Sequence, residues 1–368
     1  MRYVPVGAIR ENMILAKNIY GEQGQLLLNA GCKISNKYLE SIISMGFSGV
    51  YIQDSLSEDI EIESIISDEL RRKTIDGVKN VFISIGKNER HYDQFEELKK
   101  RIETILEEIL NDDNLMINMT DLKTFDEYIY QHSVNVAVLS MVIGTSLRLS
   151  HKEMFNLGLA ALLHDVGKIF VNKEVLNKPG KLDTNEMEMM ENHSYLGYKY
   201  LKSRYEFSIS TYIGVLDHHE RYDGTGYPNN KRGKDISLFG RIINVADVYD
   251  ELTAERPYRS GLLPSEAMEY IMGGAGSHFD PEIVEVFIRR VAPYPLGTCV
   301  RLSNGYEGIV VKNYQESSLR PSIRVYKIDG ESVEPFIINL KDDKKYLSSV
   351  IIEVVKENQY SKLIYYSI

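Results

Sequence analysis

Metal-ligating side chains occur at two widely separated points in this chain, so the fold must bring distant segments together. His218–His219 stands just before a turn segment, Gly224–Pro228, that reads Gly-Thr-Gly-Tyr-Pro. A second pair, His164–Asp165, follows an apolar run and precedes Gly167–Lys168. Imidazoles and carboxylates are common ligands of catalytic metals. The two stretches together indicate a metal-dependent enzyme acting on a phosphorylated substrate.

The composition is that of an ordinary globular protein. Of the 368 residues, 43% are hydrophobic and 26% are charged, which allows two or three domains with a sizeable core. No apolar run approaches the roughly 18 residues of a membrane span, and the N-terminus lacks the apolar region of a signal peptide. We therefore expect a cytoplasmic protein with no membrane partner.

Cysteine content and charge exclude further classes. Only Cys32 and Cys299 occur, far apart, which argues against a disulfide framework and against cysteine-ligated zinc. The net charge of −10 argues against a nucleic-acid polymer as partner. A phosphorylated substrate would need a local cationic site.

The flanking segments differ from the centre of the chain. Residues 1–54 read as a small α+β module, with a hairpin at Gly21–Gly24 and a helix between Ser35 and Met45. Residues 55–114 read as a helical linker or regulatory segment after an acidic start. From residue 293 to 368 the chain favours β structure, with hairpin signals at Asn304–Gly305 and Asp329–Gly330. We expect this β-rich module to pack on the helical core.

The central segment, 115–292, is nearly all helical in pattern, so the fold class is mainly α. The predicted helices span 126–147, 151–168, 186–203, 207–219, 238–254, 264–272 and 281–290. Ser150 and Thr184 are predicted N-caps, and Thr184 has no capping box because Met187 stands three residues later.

Five of the eight histidines lie at places in this helical domain where apolar helix faces point inward. A single histidine on such a face is more often a satisfied core residue than a ligand. Five together, interleaved with Asp165 and Asp247, favour metal binding, because a buried array of imidazoles and carboxylates without a cation is costly. The five are His132, His164, His193, His218 and His219.

Residues near these ligands suggest supporting roles. On a helix, Lys168 would lie one turn from His164, where its ammonium could meet a phosphate oxygen, although a solvated surface lysine is the plain alternative. Gly197 would allow a close approach to the helix of His193. Asp247 and Asp250 are spaced i, i+3.

The loop after Asp247 and the turn after the histidines suggest substrate contacts. Arg256 and Arg259 suit phosphate or guanine, with surface ion pairing as the alternative. Gly224 and Gly226 would supply positive φ angles, and Pro228 would supply rigidity.

The combined motifs resemble the HD-GYP family, a branch of the HD metal-dependent phosphohydrolases that hydrolyses cyclic di-GMP. The signature stands here as His164–Lys168 and His218–Pro228, and the resemblance covers about residues 120–292. His132, His193 and Asp247 match the outlying ligands. The resemblance implies a helical HD-type phosphohydrolase core with the small flanking modules described above.

The resemblance also implies roles for individual residues. Asp165 would bridge two divalent ions and, with Lys168, carry the catalysis. His132, His164 and Asp247 would hold one ion, and His193, His218 and His219 the other. The implied substrate contacts are Lys168, Tyr227, Asp250, Arg256 and Arg259. The implied motif residues are Gly167, Glu220, Asp223, Gly224, Gly226 and Pro228.

The implied cofactors are iron or manganese, with zinc and cobalt also fitting the all-nitrogen and oxygen ligand set. Family members with a third metal carry a glutamate four residues before the first histidine. Here that position is Tyr128, and the neighbouring Glu127 would point about 100° away on a helix. We expect a dinuclear site that produces linear pGpG, with further hydrolysis to GMP open.

Alternatives remain at this point. The substrate could be another cyclic dinucleotide, such as 3′,3′-cyclic GMP-AMP, or the protein could be a non-catalytic adaptor that binds cyclic di-GMP. A helical scaffold with incidental histidines is a third alternative. The predicted helix at 92–112 could also pair with a copy of itself to form a homodimer.

Overall fold

The fold is described from a computed structural model. It describes residues 1–21, 25–45, 47, 49–62, 64–87, 92–111, 116–117, 128–176, 178, 180–254 and 261–355. Helices α1 to α12 span Asn36–Ser44, Asp68–Gly86, Tyr92–Leu110, Tyr128–Ser146, His151–Leu162, Lys173–Leu176, Thr184–Glu191, His193–Lys202, Ile209–Asp217, Leu238–Thr253, Pro264–Gly273 and Pro281–Arg290. Strands β1 to β10 span Arg2–Pro5, Ile14–Leu15, Ile19–Tyr20, Leu26–Leu28, Gly49–Gln53, Cys299–Leu302, Tyr306–Lys312, Ser322–Ile328, Glu331–Asn339 and Ile351–Val354.

The N-terminal module is the predicted mixture of strands and one helix. Strand β5 lies between β1 and β2 in an antiparallel sheet, and β3 pairs with β4 on either side of the predicted hairpin turn. Helix α1 begins after Ser35, whose hydroxyl accepts a hydrogen bond from the backbone N–H of Tyr38. Both sequence predictions for this module are confirmed.

Helices α2 and α3 belong to the helical core rather than to a separate linker. Phe95, Leu98 and Ile102 form an apolar stripe along α3, and each is at most 1% exposed. They share one hydrophobic cluster with residues of α4, α5 and α10. This apolar face of the predicted helix at 92–112 is therefore buried within the chain.

Several helix ends differ from their predicted positions. Helix α5 ends at Leu162 instead of 168, and Val166–Phe170 continues as a separate 3-10 turn. The predicted helix at 186–203 is two helices, α7 and α8, that meet at Asn192. The N-cap of α7 is Asp183, not Thr184, and Asp183 forms a capping box with Glu186. A carboxylate one residue earlier thus satisfies the free N–H groups of the first turn.

The C-terminal module is a five-stranded antiparallel sheet in the order β10-β6-β7-β8-β9. The hairpins at Asn304–Gly305 and Asp329–Gly330 are confirmed, and both glycines have positive φ angles, 81° and 86°.

The prediction that this sheet packs on the helical core is wrong for its main apolar contact. Cys299, Ile309 and Tyr326 share a hydrophobic cluster with the N-terminal module, and Arg324 pairs with Asp59. The helical core meets the module at the turn Gln315–Ser317, which contacts α12. Among the described residues, no helix is both long enough and apolar enough to cross a membrane.

Candidate metal centre

The helical core brings all seven predicted ligands together. His132 lies on α4 and Asp247 on α10, while His193 is the first residue of α8. The remaining ligands follow helix ends, where the backbone turns towards the centre: His164–Asp165 after α5 and His218–His219 after α9. Each ligand is at most 3% exposed, apart from the half-buried His219.

Asp165 lies between two groups of ligand atoms. Its Oδ2 is 3.4 Å from Nε2 of His164, and its Oδ1 is 3.3 Å from Nε2 of His193. The first group that could hold a metal ion contains His132, His164 and Asp165, and the second contains Asp165, His193, His218 and His219. Since Asp165 belongs to both, the geometry suits two ions that share one carboxylate.

Three of the histidine rings are held in one tautomer by the backbone. Nδ1 of His164, His193 and His218 lies 2.8, 2.6 and 2.6 Å from the carbonyl oxygen three residues earlier in each case. A carbonyl only accepts, so each Nδ1 carries the proton and each Nε2 keeps a free lone pair. Those Nε2 atoms face Asp165 or one another, as metal ligands do.

His132 is oriented by carboxylates instead. Its Nε2 is 2.9 Å from Oδ1 of Asp247, and its Nδ1 is 2.8 Å from Oδ2 of Asp250. The other oxygen of Asp250 accepts a hydrogen bond from the Asn135 amide at 3.0 Å. Asp250 is fully buried behind His132, so its predicted role as a substrate contact does not fit its position.

Burial and charge set the protonation of the cluster. Burial lowers the pKa of His193 to about 4 and that of His219 to about 3, so both rings are neutral at pH 7. Burial would also lower the pKa of His132, but its hydrogen bonds to Asp247 and Asp250 raise it to about 10. The site thus favours positive charge beside Asp247, which a metal ion would supply in place of the proton.

Two buried atoms in the centre have no hydrogen-bond partner among the described residues. They are Nε2 of His164 and Oδ1 of Asp165. An unsatisfied buried polar atom costs about 1–3 kcal/mol. An imidazole nitrogen and a carboxylate oxygen can each bind a metal ion, and both atoms lie in the candidate ligand groups. The residues present therefore fit a metal centre.

Lys168 reaches the Asp165 carboxylate although it does not lie on the predicted helix. Its Nζ is 2.5 Å from Oδ2 of Asp165, across the 3-10 turn that follows α5. Burial opposes ionisation of Asp165, but the Lys168 ammonium holds the pKa of that carboxyl well below its usual range. About a quarter of the lysine side chain is exposed, so it can also meet a substrate.

Gly167 and Gly197 allow this turn to lie directly against α8. A Cβ at Gly167 would stand 1.8 Å from the carbonyl oxygen of His193 and 2.6 Å from the backbone nitrogen of Gly197. The predicted close approach at Gly197 is confirmed, and the contact joins the segments that carry Asp165 and His193.

The turn after His219 is held by its own acidic residues. The Glu220 carboxylate accepts hydrogen bonds from the backbone N–H groups of Asn229 and Lys231, at 2.8 and 3.0 Å. Asp223 accepts from both the backbone and the hydroxyl of Thr225, at 3.0 and 2.6 Å. Both side chains close the loop, in keeping with the structural roles predicted for them.

The two glycines of this turn are required for different reasons. Gly224 has the predicted positive φ, 84°, but Gly226 does not. A Cβ at Gly226 would lie 2.2 Å from the backbone nitrogen of Arg221, so here glycine permits a close crossing of the chain. The Tyr227–Pro228 peptide that follows is cis.

Tyr227 forms one wall beside the ligands. Its ring centroid is 4.8 Å from that of His219, with a tilt of 34°. Burial raises the pKa of Tyr227 far above its usual range, so the phenol stays neutral. The side chain therefore offers a ring face and a hydroxyl at the edge of the centre.

Sequence reasoning missed a buried ion pair beside the second ligand group. Lys231 donates to both carboxylate oxygens of Asp217, and the backbone N–H of Ser237 donates to one of them at 2.9 Å. An acidic residue at the end of the apolar helix α9 was the available signal. Other predicted residues, namely Arg256 and Arg259 together with Glu127, lie outside the described residues, as does the side chain of Tyr128.

Comparison with protein families agrees with this geometry. Residues 104–283 match the family model described as "HD domain". This segment is an HD domain. The resemblance predicted from the two motifs is confirmed at this level, and the HD segment contains all seven candidate ligands.

Two relatives that are similar to part of this chain are named as cyclic dinucleotide phosphodiesterases. The chain is 38% identical over 225 residues to "Cyclic di-GMP phosphodiesterase PA4108" of Pseudomonas aeruginosa, covering 61% of this chain and 54% of that protein. It is 39% identical over 156 residues to "3'3'-cGAMP-specific phosphodiesterase 3" of Vibrio cholerae, covering 42% of this chain and 34% of that protein. The chain therefore spans about half of the first relative and a third of the second.

Among solved structures, the chain is similar to Bd1817, described as an HDG"Y"P protein from Bdellovibrio bacteriovorus. The TM-score is 0.48 and the sequence identity is 19%, covering 77% of this chain and 97% of that one.

Proposed function

We propose that this protein is a metal-dependent phosphodiesterase that hydrolyses cyclic di-GMP to linear pGpG. The observation that carries the proposal is the position of Asp165, which belongs to two buried groups of histidines and contacts Lys168. A shared carboxylate between two ligand sets is the arrangement that supports two-metal hydrolysis of phosphate esters. The first listed relative is named as a cyclic di-GMP phosphodiesterase.

The ligands divide into two sets around the shared carboxylate. His132, His164 and Asp247 would hold one ion. The second ion would be held by His193, His218 and His219, with Asp165 contacting both. A pair of divalent ions supplies Lewis acidity there, lowering the pKa of water and neutralising phosphoryl charge. The nitrogen and oxygen donors suit iron or manganese, and also zinc or cobalt.

The chain's own residues prepare the substrate for an in-line displacement. Water attacks phosphorus, the bond to the 3′ oxygen breaks, and that oxygen leaves as a hydroxyl after gaining a proton. The Lys168 ammonium stabilises negative charge on the phosphoryl oxygens from its place beside Asp165. Tyr227 and the turn Gly224–Pro228 shape the wall next to His219. Arg256 and Arg259 remain proposed contacts for phosphate or guanine.

The main alternative is the same chemistry on 3′,3′-cyclic GMP-AMP. A relative of 39% identity carries that specificity in its name. The two substrates differ in one base, so guanine contacts decide between them. Competition between the two cyclic dinucleotides at equal concentration would measure the ratio of their kcat/KM values.

A direct test combines metal analysis with product chromatography. The protein is purified without oxygen, supplied with iron or manganese, and incubated with cyclic di-GMP. We expect two ions per chain and pGpG as the product, and we expect Asp165→Ala to lose both metal and turnover. A protein that binds the dinucleotide but never cleaves it, with both ions present, would instead be the non-catalytic adaptor.

A further inference from the structure

Helix α2 reaches the metal centre through a chain of hydrogen bonds that begins at Arg71. Nη1 of Arg71 donates to Oδ1 of Asn135 at 2.7 Å. The Asn135 amide donates to Asp250 at 3.0 Å, and Asp250 in turn lies 2.8 Å from Nδ1 of His132. We propose that Arg71 is a positioning residue for the ligand His132, so that α2 is part of the metal centre. The inference rests on the metal-binding part of the proposed function.

The spacing on two helices explains why the chain of bonds forms. His132 and Asn135 lie i, i+3 on α4, and Asp247 and Asp250 lie i, i+3 on α10. Residues at this spacing share a helix face. The inner residues, His132 and Asp247, meet at the ligand site, while Asn135 and Asp250 form an outer layer behind them. All four are at most 3% exposed, so water does not replace these bonds.

Arg71 and Asp250 together fix which way the Asn135 amide faces. A guanidinium only donates, so it binds the amide oxygen and leaves the amide N–H₂ to face Asp250. The reverse orientation would place the amide oxygen against the Asp250 carboxylate, and two acceptors repel each other. The Arg71 donor therefore reinforces the orientation that the Asp250 carboxylate already favours. Arg71 therefore acts on His132 through the direction of one amide.

Asp250 then holds the His132 ring. Because its carboxylate accepts from Nδ1, Nε2 is the ring nitrogen that faces Asp247 and the ligand site. Outer partners of this kind fix the tautomer and the orientation of a ligating histidine. Loss of the amide donor would leave Asp250 with one buried oxygen less well satisfied, and the His132 ring less firmly placed.

Helix α2 is well placed to control this layer, and it lies before the HD segment that begins at residue 104. The Phe82 ring packs edge-on against Tyr130 of α4, with centroids 5.8 Å apart. Near its other end, a Cβ at Gly86 would be in ordinary contact with Ile169 at 3.4 Å, next to Lys168. The helix thus touches the segments that carry His132 and Lys168, and its N-terminus follows the N-terminal module directly.

The first N–H groups of α2 are also held to the neighbouring helix α3. The N-cap residue Ser67 donates its backbone N–H to the Glu108 carboxylate at 2.8 Å. Arg71 lies one turn further along, and its backbone N–H donates to the carbonyl of Ser67. A shift of α2 relative to α4 would therefore change the Arg71–Asn135 distance.

The test is a chelator titration of the metal-loaded protein. The variants are Arg71→Met, which removes the donor, and Arg71→Lys, which keeps a charged donor on a similar stem. The matched control is Lys73→Met on the same helix, because Lys73 is exposed and pairs, among the described residues, with Glu69 alone. For Arg71→Met we expect one of the two ions to be lost at about tenfold lower chelator concentration, the lower end of the range for outer-layer partners.

Thermal unfolding of the metal-free proteins separates positioning from a general loss of stability. Equal metal-free stability of Arg71→Met and Lys73→Met, with metal loss only in the first, supports the proposal. Arg71→Lys should fall between wild type and Arg71→Met, and it carries the test if Arg71→Met does not fold. Equal chelator midpoints for the Arg71 variants and the control overturn the role of Arg71, whether or not the wild type hydrolyses cyclic di-GMP. Tight binding of two ions without turnover would overturn the proposed function alone.

Discussion

Lys231 donates to both carboxylate oxygens of Asp217, at 2.7 and 2.9 Å. Asp217 directly precedes the candidate ligand His218. Asp217 is fully buried, whereas about a quarter of the Lys231 side chain is exposed. The backbone of Lys231 is itself bound by Glu220. The pair therefore holds the segment just after the turn Gly224–Pro228 against the end of α9.

Lys231→Met should be strongly destabilising. Removing one partner of a buried pair leaves an unpaired charge and costs roughly 3–5 kcal/mol, and the partial exposure of Lys231 places this case at about 3. The free energy of unfolding in urea measures the effect. Lys234→Met is the control, since Lys234 is 58% exposed and its partner Asp280 keeps Arg241. The pairing would be unimportant if both variants were equally stable.

Gly167→Ala should disrupt the metal centre. The added Cβ would meet the carbonyl oxygen of His193, and overpacking of this kind costs roughly 1–3 kcal/mol. Since the contact joins the segments of Asp165 and His193, we expect fewer than two ions per chain by metal analysis. Gly273→Ala is the matched control, because nothing lies within 4 Å of its Cβ. Full metal content in Gly167→Ala would show that the turn can move without cost.

Lys168→Met should lower kcat while both ions remain bound. Lys168 donates to the Asp165 carboxylate but is not one of the candidate ligands, so its loss should remove charge stabilisation alone. Losing one preorganised donor of this kind typically lowers kcat about 10²–10³-fold. Steady-state kinetics with metal analysis of the same sample measures both quantities. Lys173→Met, an exposed lysine of α6, should retain wild-type turnover. A Lys168→Met enzyme with normal kcat would contradict the assigned role.

The contact between the two flanking modules should weaken in acid. Asp59 accepts two hydrogen bonds from Arg324, both at 2.6 Å, and this lowers its pKa from 3.8 to about 2. Because the folded-state pKa is the lower one, the stabilisation is complete above about pH 4 and is lost as the pH falls towards 2. Asp59 is largely exposed, so screening limits the effect to at most about 1 kcal/mol.

Comparing Asp59→Asn with wild type as a function of pH tests this assignment. The difference in unfolding free energy should be present at neutral pH and should shrink in acid. A difference that is independent of pH would assign the effect to the hydrogen bond from Arg324 to Leu56 instead.

Local signals in the sequence predicted much of the fold. The Ser150 cap, the helix between Ser35 and Met45 and both C-terminal hairpins are confirmed, because capping and turn formation depend on residues a few positions apart. The Asp183 cap and the break at Asn192 were missed. Each depends on the last residue or two at a helix end, where alternative partners compete closely.

The sequence by itself also determined the residue types at the metal centre. Histidines and aspartates at seven positions of an apolar helical segment are costly unless a cation satisfies them, so their convergence could be expected. Only the tertiary structure showed which residues orient these candidate ligands. Asp250 was predicted to contact substrate and instead orients His132, and Arg71 enters the centre from a helix outside the HD segment. Those contacts join residues more than 60 positions apart, and such pairings depend on how helices pack, which no local pattern encodes.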